Sequence, residues 1–568
     1  MNSGQDAWIQ QDITVAASEN HSLTIEISSG TGDMTVNVGT TQGGTDIYSG
    51  VFDTANNIVI EDLQSPATTM WIECRVSGPN NPEKIIDTII LENTDTPAGD
   101  VEFTSPWTSA SEIAFLQAEM VPHELTLRFV GDDVEPYDLT FDLDTDTWAL
   151  SATSFTSAPA EWVAGSWPCS ICFFEGRMYL GGSRNNPNRF WASKSGQDNY
   201  TDFTTGALAD DALSHDLSRR GKIRWMAGAQ NLVIGTENAE WIISSTDGVI
   251  IPGDISSRLQ STYGSFQTRA LEVGNDLLYI TPDGRKIRRM GYEWTKDAWT
   301  NQDLTFASEH ITEDGNYLTQ LHYGPNPANL IASVTGKNEA VKLTYEPNSA
   351  TGGFVRRTTQ GSFLSLCVLS FGGTDEFWIL ARREDGKLYL ERQTSGESRI
   401  KMDSHYRVAV NGTPATSVTV PHLAGMTCQC LVDGAVHPDV VPDASTGEVA
   451  LEFAATEEVV VGLGFDSTLV TMPISDSINP IGTTRPMRKR WSKAFVRVLD
   501  SYRPKVNGVR PPDRTVPTPM GEQEDPQTES VPVTQTGWSF DATLTITQDL
   551  PLTTEIGGIF GQIDQEEV

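Results

Sequence analysis

The chain has 568 residues with 76 acidic and 39 basic side chains, giving a net charge of −37 and a pI near 4.5. That balance argues against nonspecific adhesion to the outside of nucleic acid or to an anionic membrane. It leaves open DNA passing through an acidic-walled ring, where repulsion prevents sticking, and solubility alone accounts for the charge equally well. A chain this long exceeds what one hydrophobic core serves, so about three or four domains are expected.

No stretch approaches the roughly 20 apolar residues that span a bilayer as a helix. The first residues lack a basic segment followed by an apolar one, so secretion by a signal peptide is not expected. The six cysteines, Cys74, Cys169, Cys172, Cys367, Cys428 and Cys430, are few and scattered, which suits a reducing compartment. Thr, Ser, Val, Gly and aromatic residues are plentiful and long 3.6-residue periodicities are scarce, so the expected fold class is all-β.

Residues 1–96 read as a β-sandwich or jelly-roll-like module. They contain only Arg75 and Lys84 as basic residues, and apolar runs at His21–Ile27, Met34–Val38, Ile58–Ile60, Thr69–Val76 and Ile85–Leu91 alternate with Gly, Asn and Ser turns. Asn93–Gly99 reads as a linker. Residues 97–165 form a β-rich platform segment with Phe129, Tyr137, Phe141 and Trp148 as core aromatics. The clearest helix is expected over Ser109–Glu119, about three turns long and capped by Ser109 or Ser111.

Five hairpin-like units recur within residues 166–400, at Phe173–Gly182, Asn231–Ile243, Asp276–Arg289, Asn329–Tyr345 and Glu376–Arg392. Their period of about 45 to 60 residues is that of propeller blades. In each, short apolar runs meet at a Gly, Asp-Gly or Asn turn able to supply the positive φ of a tight hairpin. The units are not copies of one another, so a degenerate β-propeller is expected. Cys169-x-x-Cys172 lacks a second ligand pair and opens a buried strand; Cys428 and Cys430 share one face of a strand as small core residues.

Residues 401–480 read as a small β-barrel or sandwich, with strands near Thr427–Val432, Glu448–Phe453 and Glu458–Leu463 and a hairpin turn at Asp433-Gly434. Residues 481–568 hold C-terminal strands. They open on the one basic cluster of the chain, Arg485, Arg488, Lys489, Arg490, Lys493 and Arg497. A cation run is usually a solvated face, but here it equally suits docking of an acidic subunit, with nucleic-acid contact third. Arg503–Val533, rich in Pro, Glu and Thr, is expected to be a mobile or extended excursion at 503–533. A strand pair, Trp538–Gln548 and Thr553–Phe560, closes the chain.

Catalytic chemistry is hard to find. Of the eight histidines, His310, His322, His405 and His422 sit in turn or strand-edge contexts without a nucleophile motif nearby. No P-loop precedes a helix. Asp210 and Asp211 with Asp216 lack the interleaved spacing of a calcium loop. No catalytic residue, cofactor or metal is expected, and the acids read as turn or docking charges.

An ordered series of motifs runs along the chain. It begins with Trp167-Pro168 and the Phe173–Tyr179 hairpin containing Gly176 and Arg177. It continues through Asn186–Lys194, with Trp191, Ser193 and Lys194, then Asp210-Asp211-Ala212-Leu213, Ile223–Met226 and Leu232–Thr236 with Gly235. Ser261–Ser265 with Gly264, Gly284–Arg288, Asp303–Thr305 with His310, and His422–Gly425 leading to Val432–Gly434 follow. Each piece is mostly turn and core chemistry, but taken in order from about Val101 to the C-terminus the series resembles the tail nozzle, or tail tubular protein B, family of short-tailed bacteriophages. At the N-terminus the chain departs from the pattern, the sandwich-like module standing where family members place a different β-rich segment.

The resemblance implies a structural virion protein and no enzyme. It would form a ring, usually of six subunits, below the adaptor that joins tail to portal, located in the tail of the virion and assembled in the host cytoplasm. The implied partners are other copies of the chain, the tail adaptor, a fibre or tailspike, and genomic double-stranded DNA that the ring retains and then conducts without specific binding. Membrane insertion by the chain itself is not implied. The docking candidates are Arg485, Arg488, Lys489, Arg490 and Lys493, with the 503–533 excursion clasping a neighbour. The alternatives are a propeller-based glycan-degrading tail protein using paired carboxylates and a glycan-binding adhesin led by the N-terminal module.

Overall fold

A computed structural model describes residues 7–566 apart from 15–19, 31–32, 42–44, 46, 53–57, 65–68, 78–83, 94–101, 247, 327–329, 347–351, 372, 394–399, 411–413, 475–486, 513–524 and 534–535. The linker expected at Asn93–Gly99 falls almost wholly outside these residues, and so does Arg485. The molecule separates into two compact units, Met1–Pro106 with Phe141–Leu150, and Trp107–Thr140 with Ser151–Val568.

The first unit is a sandwich of antiparallel strands. One sheet orders Ala7–Thr14, Thr69–Ser77, Asp33–Gly39 and Tyr48–Phe52; the other orders Ile58–Gln64, Asn20–Gly30 and Lys84–Asn93. Alternate residues of a strand point to one face, so Met34, Val36 and Val38 from one sheet meet Leu23 and Ile25 from the other in a single core.

The second unit opens on a helix at Ala110–Ala114, capped by Ser109: its hydroxyl accepts from the Glu112 N–H at 3.3 Å, and the Glu112 carboxylate accepts from the Ser109 N–H at 3.0 Å. The helix starts where the sequence places it but is one turn, because Gln117–Met120 leaves to pair with Thr126–Val130, which pairs in turn with Tyr137–Thr140.

Five antiparallel meanders follow, each adding its strands in chain order. They run from Ser170–Phe174 to Leu213–Asp216, Ile223–Gly228 to Ser256–Ser261, Leu271–Val273 to Ala298–Asp303, His322–Gly324 to Gly352–Arg357, and Ser362–Phe371 to Leu388–Arg392. All five expected hairpins are present, each inside one meander. Sequential small meanders packed face against face are propeller blades. Tyr179 and Phe190 of the first meander share a core with Met226 and Ile234 of the second. Trp225 and Val233 of the second pack on Leu277 and Tyr279 of the third, and the third meets the fourth through Leu278, Ile280, Ile331 and Leu343. Ala332 and Val334 of the fourth meet Phe363 and Phe377 of the fifth. The sheet before them stacks in the same way, Val121 and Val130 against Ile171 and Trp191, and so behaves as a further blade. The chain is therefore all-β, a degenerate propeller with accessory β-sandwich and barrel domains.

Beyond the blades, a sheet ordering Asp403–Ala409, Glu458–Leu463, Cys428–Val432 and Ala435–Val440 shares its core with the pair Ala415–Thr419 and Glu448–Ala455, and Asp433-Gly434 makes the expected hairpin turn with both residues at positive φ. Two of the expectations for the C-terminal region change. Thr545–Gln548 and Ile556–Glu566 are strands but not partners: the first pairs with Ser467–Val470, the second with Arg488–Ser501. The 503–533 excursion contains a strand, Gln527–Val533, on the edge of the latter sheet. An edge tolerates Pro532, and Val531 is buried beneath it, so a Pro-rich composition there coexists with pairing.

Candidate functional site

The basic cluster lies on the long strand Arg488–Ser501, central in its three-stranded sheet. Period-2 alternation divides the cations between the two faces. Lys489 is fully buried, its Nζ donating to the Ile474 carbonyl at 2.6 Å while its own backbone exchanges hydrogen bonds with Ser539. As a docking candidate it is therefore corrected to a structural cation. Arg488 and Lys493 are exposed, and Arg490 is half-buried. The Arg490 guanidinium pairs with Asp564 at 2.9 Å and lies 4.8 Å from the Trp538 ring; that of Arg488 lies 5.7 Å from Phe540. Trp538, Phe540 and Phe560 are all partly exposed nearby, so the remaining candidate surface combines arginine with aromatic rings, the composition enriched at interface hot spots.

The motif residues are architectural. Glu175 and Gly176 both have positive φ and form the first blade's hairpin turn. Buried Arg177 follows and donates to the carbonyls of Ser193 and Asp211 at 2.7 Å and of Ala209 at 2.5 Å, pinning the long 193–211 connection. Ser193 accepts from the Met178 N–H at 3.0 Å and donates to the Lys194 carbonyl at 2.9 Å. Lys194 pairs with Asp202 at 3.0 Å. Asp211 accepts from the Leu208 N–H at 2.9 Å, and the Asp210 carbonyl accepts from Ser195. Asp216 is paired with Arg189 at 2.7 Å, which holds its carboxyl below the usual range, so the three acids do not converge. Trp191 packs edge-on against Trp162 at 5.6 Å.

Gly235 lets the Trp225 ring cross directly over the backbone, and Gly264, at φ 79°, leaves no room for a methyl beside the Glu237 carbonyl. The His422 Nε2 donates to the Ser404 carbonyl at 3.0 Å with its ring beside Tyr406 and Tyr389. His405 donates to the Met402 carbonyl, and burial pushes His322 down to about 4. Cys169 donates to the Gly182 carbonyl at 3.0 Å, and burial pushes its thiol up to about 12.

Sequence reasoning passed over two buried ionisable groups. Glu240 is fully buried between the second and third blades, accepting from the Ser265 hydroxyl at 3.1 Å and from Ser261. Burial raises its pKa. The Ser261–Ser265 motif thus supplies a cradle for a carboxylate, and Arg288 of the next motif lies 3.3 Å from the Tyr263 ring centre. The available signal was an acid interrupting the apolar run Ala239–Ile243. Lys342 is buried in the fourth blade, its Nζ donating to Gln393 and lying 4.0 Å from the Phe377 ring centre. Burial, aided by the Arg357 charge, pushes its pKa down to about 7. A lysine in the run Ala340–Leu343 carried the same signal.

No family model matches the chain, and no curated protein matches it. Among solved structures, apo AztD from Citrobacter koseri is similar at 9% identity and TM-score 0.31, over 78% of this chain and 98% of that one. The β-propeller domain of Cps50 (Swd1) from Myceliophteria thermophila gives 9% identity and TM-score 0.31 over 60% and 95%. The Malassezia sympodialis allergen Mala s 1 gives 10% and 0.31 over 48% and 91%. Overlaps this loose carry no argument about activity, and the propeller assignment rests on the order and stacking of the chain's own sheets.

Proposed function

We propose that this chain is a structural subunit of the tail nozzle of a short-tailed bacteriophage. Copies assemble into a ring, six in the resembling family, that continues the DNA channel below the adaptor, retains the genome and conducts it at ejection, and docks fibres or tailspikes. The observation that supports this best is the placement of the resembling residues. Arg177, Ser193, Gly235, Gly264 and His422 hold hairpins, connections and blade junctions together through hydrogen bonds and close backbone packing. A series of motifs with that role is what a shared framework leaves in sequence. The net charge of −37 suits a conduit that must not retain DNA by adhesion.

The test is mass photometry and negative-stain imaging of the full chain, alone and with the neck components of the tail. The expected result is a ring with an axial hole, formed by the chain itself or beside its adaptor. A stable monomer that never joins a tail overturns the reading and returns the glycan-active alternatives to the front.

A further inference from the structure

The last two strands of the third blade, Ile287–Glu293 and Ala298–Asp303, are joined by a hairpin turn that presents an indole to solvent. Trp294 is 84% exposed, the most exposed aromatic side chain among the described residues. The turn beneath it is stiff. The Lys296 and Asp297 N–H groups donate to the carbonyls of Glu293 and Trp294 at 3.0 and 3.2 Å, and the Glu293 carboxylate accepts from the Thr295 hydroxyl at 2.9 Å and from the Lys296 ammonium at 2.6 Å. Asp297 takes a positive φ of 47° and accepts from the Tyr292 hydroxyl. Fixing an exposed indole in this way stabilises no core, but it spares a partner the entropy of ordering the hairpin on binding. Glu293, Lys296 and Asp297 together give the tip one negative charge.

The same chain carries a socket of matching size. Where Thr545–Gln548 pairs with Ser467–Val470, a pocket of about 210 Å³ opens between Phe465, Leu469, Pro504, Ile546, Leu552 and Ile556. An apolar cavity of about 150 Å³ takes one benzene ring, so this one has room for the two fused rings of an indole. Ser467 and Thr468, exposed in its wall, offer hydroxyls to an indole N–H, which takes a hydrogen-bond partner when buried. Among the described residues no carboxylate lines the pocket, and its one charged lining residue is Lys401. Gln548 in the wall accepts from Arg510 at 2.9 Å, and Arg510 and Lys505 share the single carboxylate of Asp549, so that this trio carries one positive charge beside the pocket.

We infer that Trp294 of one copy of the chain inserts into this pocket on the next copy. The occupant is named by the fit: a single rigid indole, exposed in its own copy, against an apolar socket of indole size, with a tip of charge −1 meeting a trio of charge +1. A tryptophan that fills a desolvated pocket is the kind of side chain that carries most of the energy of an interface. Knob and socket are different surfaces, so the contact is heterologous: each copy gives one knob and receives one, and repetition about an axis closes a ring. The inference rests on the ring reading and specifies the contact between neighbours.

Mass photometry of the full chain, with its adaptor where the ring needs one, tests it. Trp294→Ala removes a side chain that packs on little of its own copy, so the unassembled protein should keep its thermal midpoint within a few degrees while the concentration needed for ring formation rises at least tenfold. Leu469→Glu, at a wall position 43% exposed, should do the same from the socket side. An equimolar mixture of the two variants retains one intact knob and one intact socket, and should stop at pairs. Rings that form normally with Trp294→Ala overturn the inference and leave the ring reading intact. Rings lost with Trp294→Ala but normal with Leu469→Glu overturn it as well, since the knob then seats elsewhere. A parent chain that forms no ring under any condition overturns both.

Discussion

Lys342 offers the sharpest test of the electrostatics of the blades. Its side chain is buried, no carboxylate among the described residues is paired with it, and burial with the Arg357 charge pushes its pKa from 10.5 to about 7. A shift of about 3.5 units at about 1.4 kcal/mol each means that holding this amine in the fold costs on the order of 4 kcal/mol at pH 7. The sign follows from linkage: a depressed pKa contributes stability that is present above 10.5 and lost as pH falls through about 7. Lys342→Met removes the charge and keeps the shape, while forfeiting the Gln393 hydrogen bond and the contact with Phe377, together about 2 kcal/mol. The variant should therefore be about 2 kcal/mol more stable than the parent at pH 7. The gap should narrow by about 2 kcal/mol between pH 7 and pH 9, as the parent's unfolded state loses its advantage in binding a proton. Guanidinium unfolding of both proteins, followed by tryptophan fluorescence across that window, measures the difference directly, since the titrations the two share cancel. A gap that does not change with pH, or a variant less stable than the parent at pH 7, would refute the argument that the amine is desolvated at a net cost.

Arg177→Met leaves the Ser193, Asp211 and Ala209 carbonyls without their donor, and should cost about 3 to 5 kcal/mol in the same unfolding assay, with Arg177→Lys recovering only part of it. Glu240 has a raised pKa, so it contributes stability that is present below its unfolded value and lost as pH rises through the folded one. Glu240→Gln should accordingly be at least as stable as the parent at pH 7 and lose that advantage near pH 4, as read by thermal melts at the two pH values. On the basic strand, Lys489→Met should lower the thermal midpoint by removing the buried bond to Ile474, whereas Arg488→Glu with Lys493→Glu should leave the midpoint within a few degrees and reduce assembly seen by mass photometry.

The hairpins were legible because their two ingredients are local: an apolar run and a residue pair able to take positive φ, as at Glu175-Gly176 and Asp433-Gly434. The helix start was legible for the same reason, the Ser109 and Glu112 capping box lying within four residues, while its end depended on Gln117–Met120 finding a sheet that no local pattern announces. Partner choice was not legible: Trp538–Gln548 and Thr553–Phe560 read as a pair because they are neighbours in sequence, yet the strands formed there, Thr545–Gln548 and Ile556–Glu566, each pair with a strand many residues upstream. The basic cluster was legible as composition, but its division into a buried Lys489 and an exposed Arg488 depends on strand phase, which a run of consecutive cations conceals.

The same contrast between local and long-range determinants holds at the junctions between blades. A blade has little to distinguish it from any other meander, but each junction between blades imposes its own small demand. At the second junction a buried Glu240 requires the Ser261 and Ser265 hydroxyls, Gly264 must clear the Glu237 carbonyl, and Arg288 lies across Tyr263. At the third, the Gly284 carbonyl accepts from Leu318 at 2.8 Å and a methyl on Gly284 would press on Tyr317. Each junction differs from the next because a different pair of blades meets there, so substitutions that the blade faces tolerate are resisted at the junctions. Swapping the Ser261–Ser265 segment for the corresponding connection of another blade would leave the local turn possible and the Glu240 carboxylate unsatisfied, which is the sense in which the order itself carries structural information.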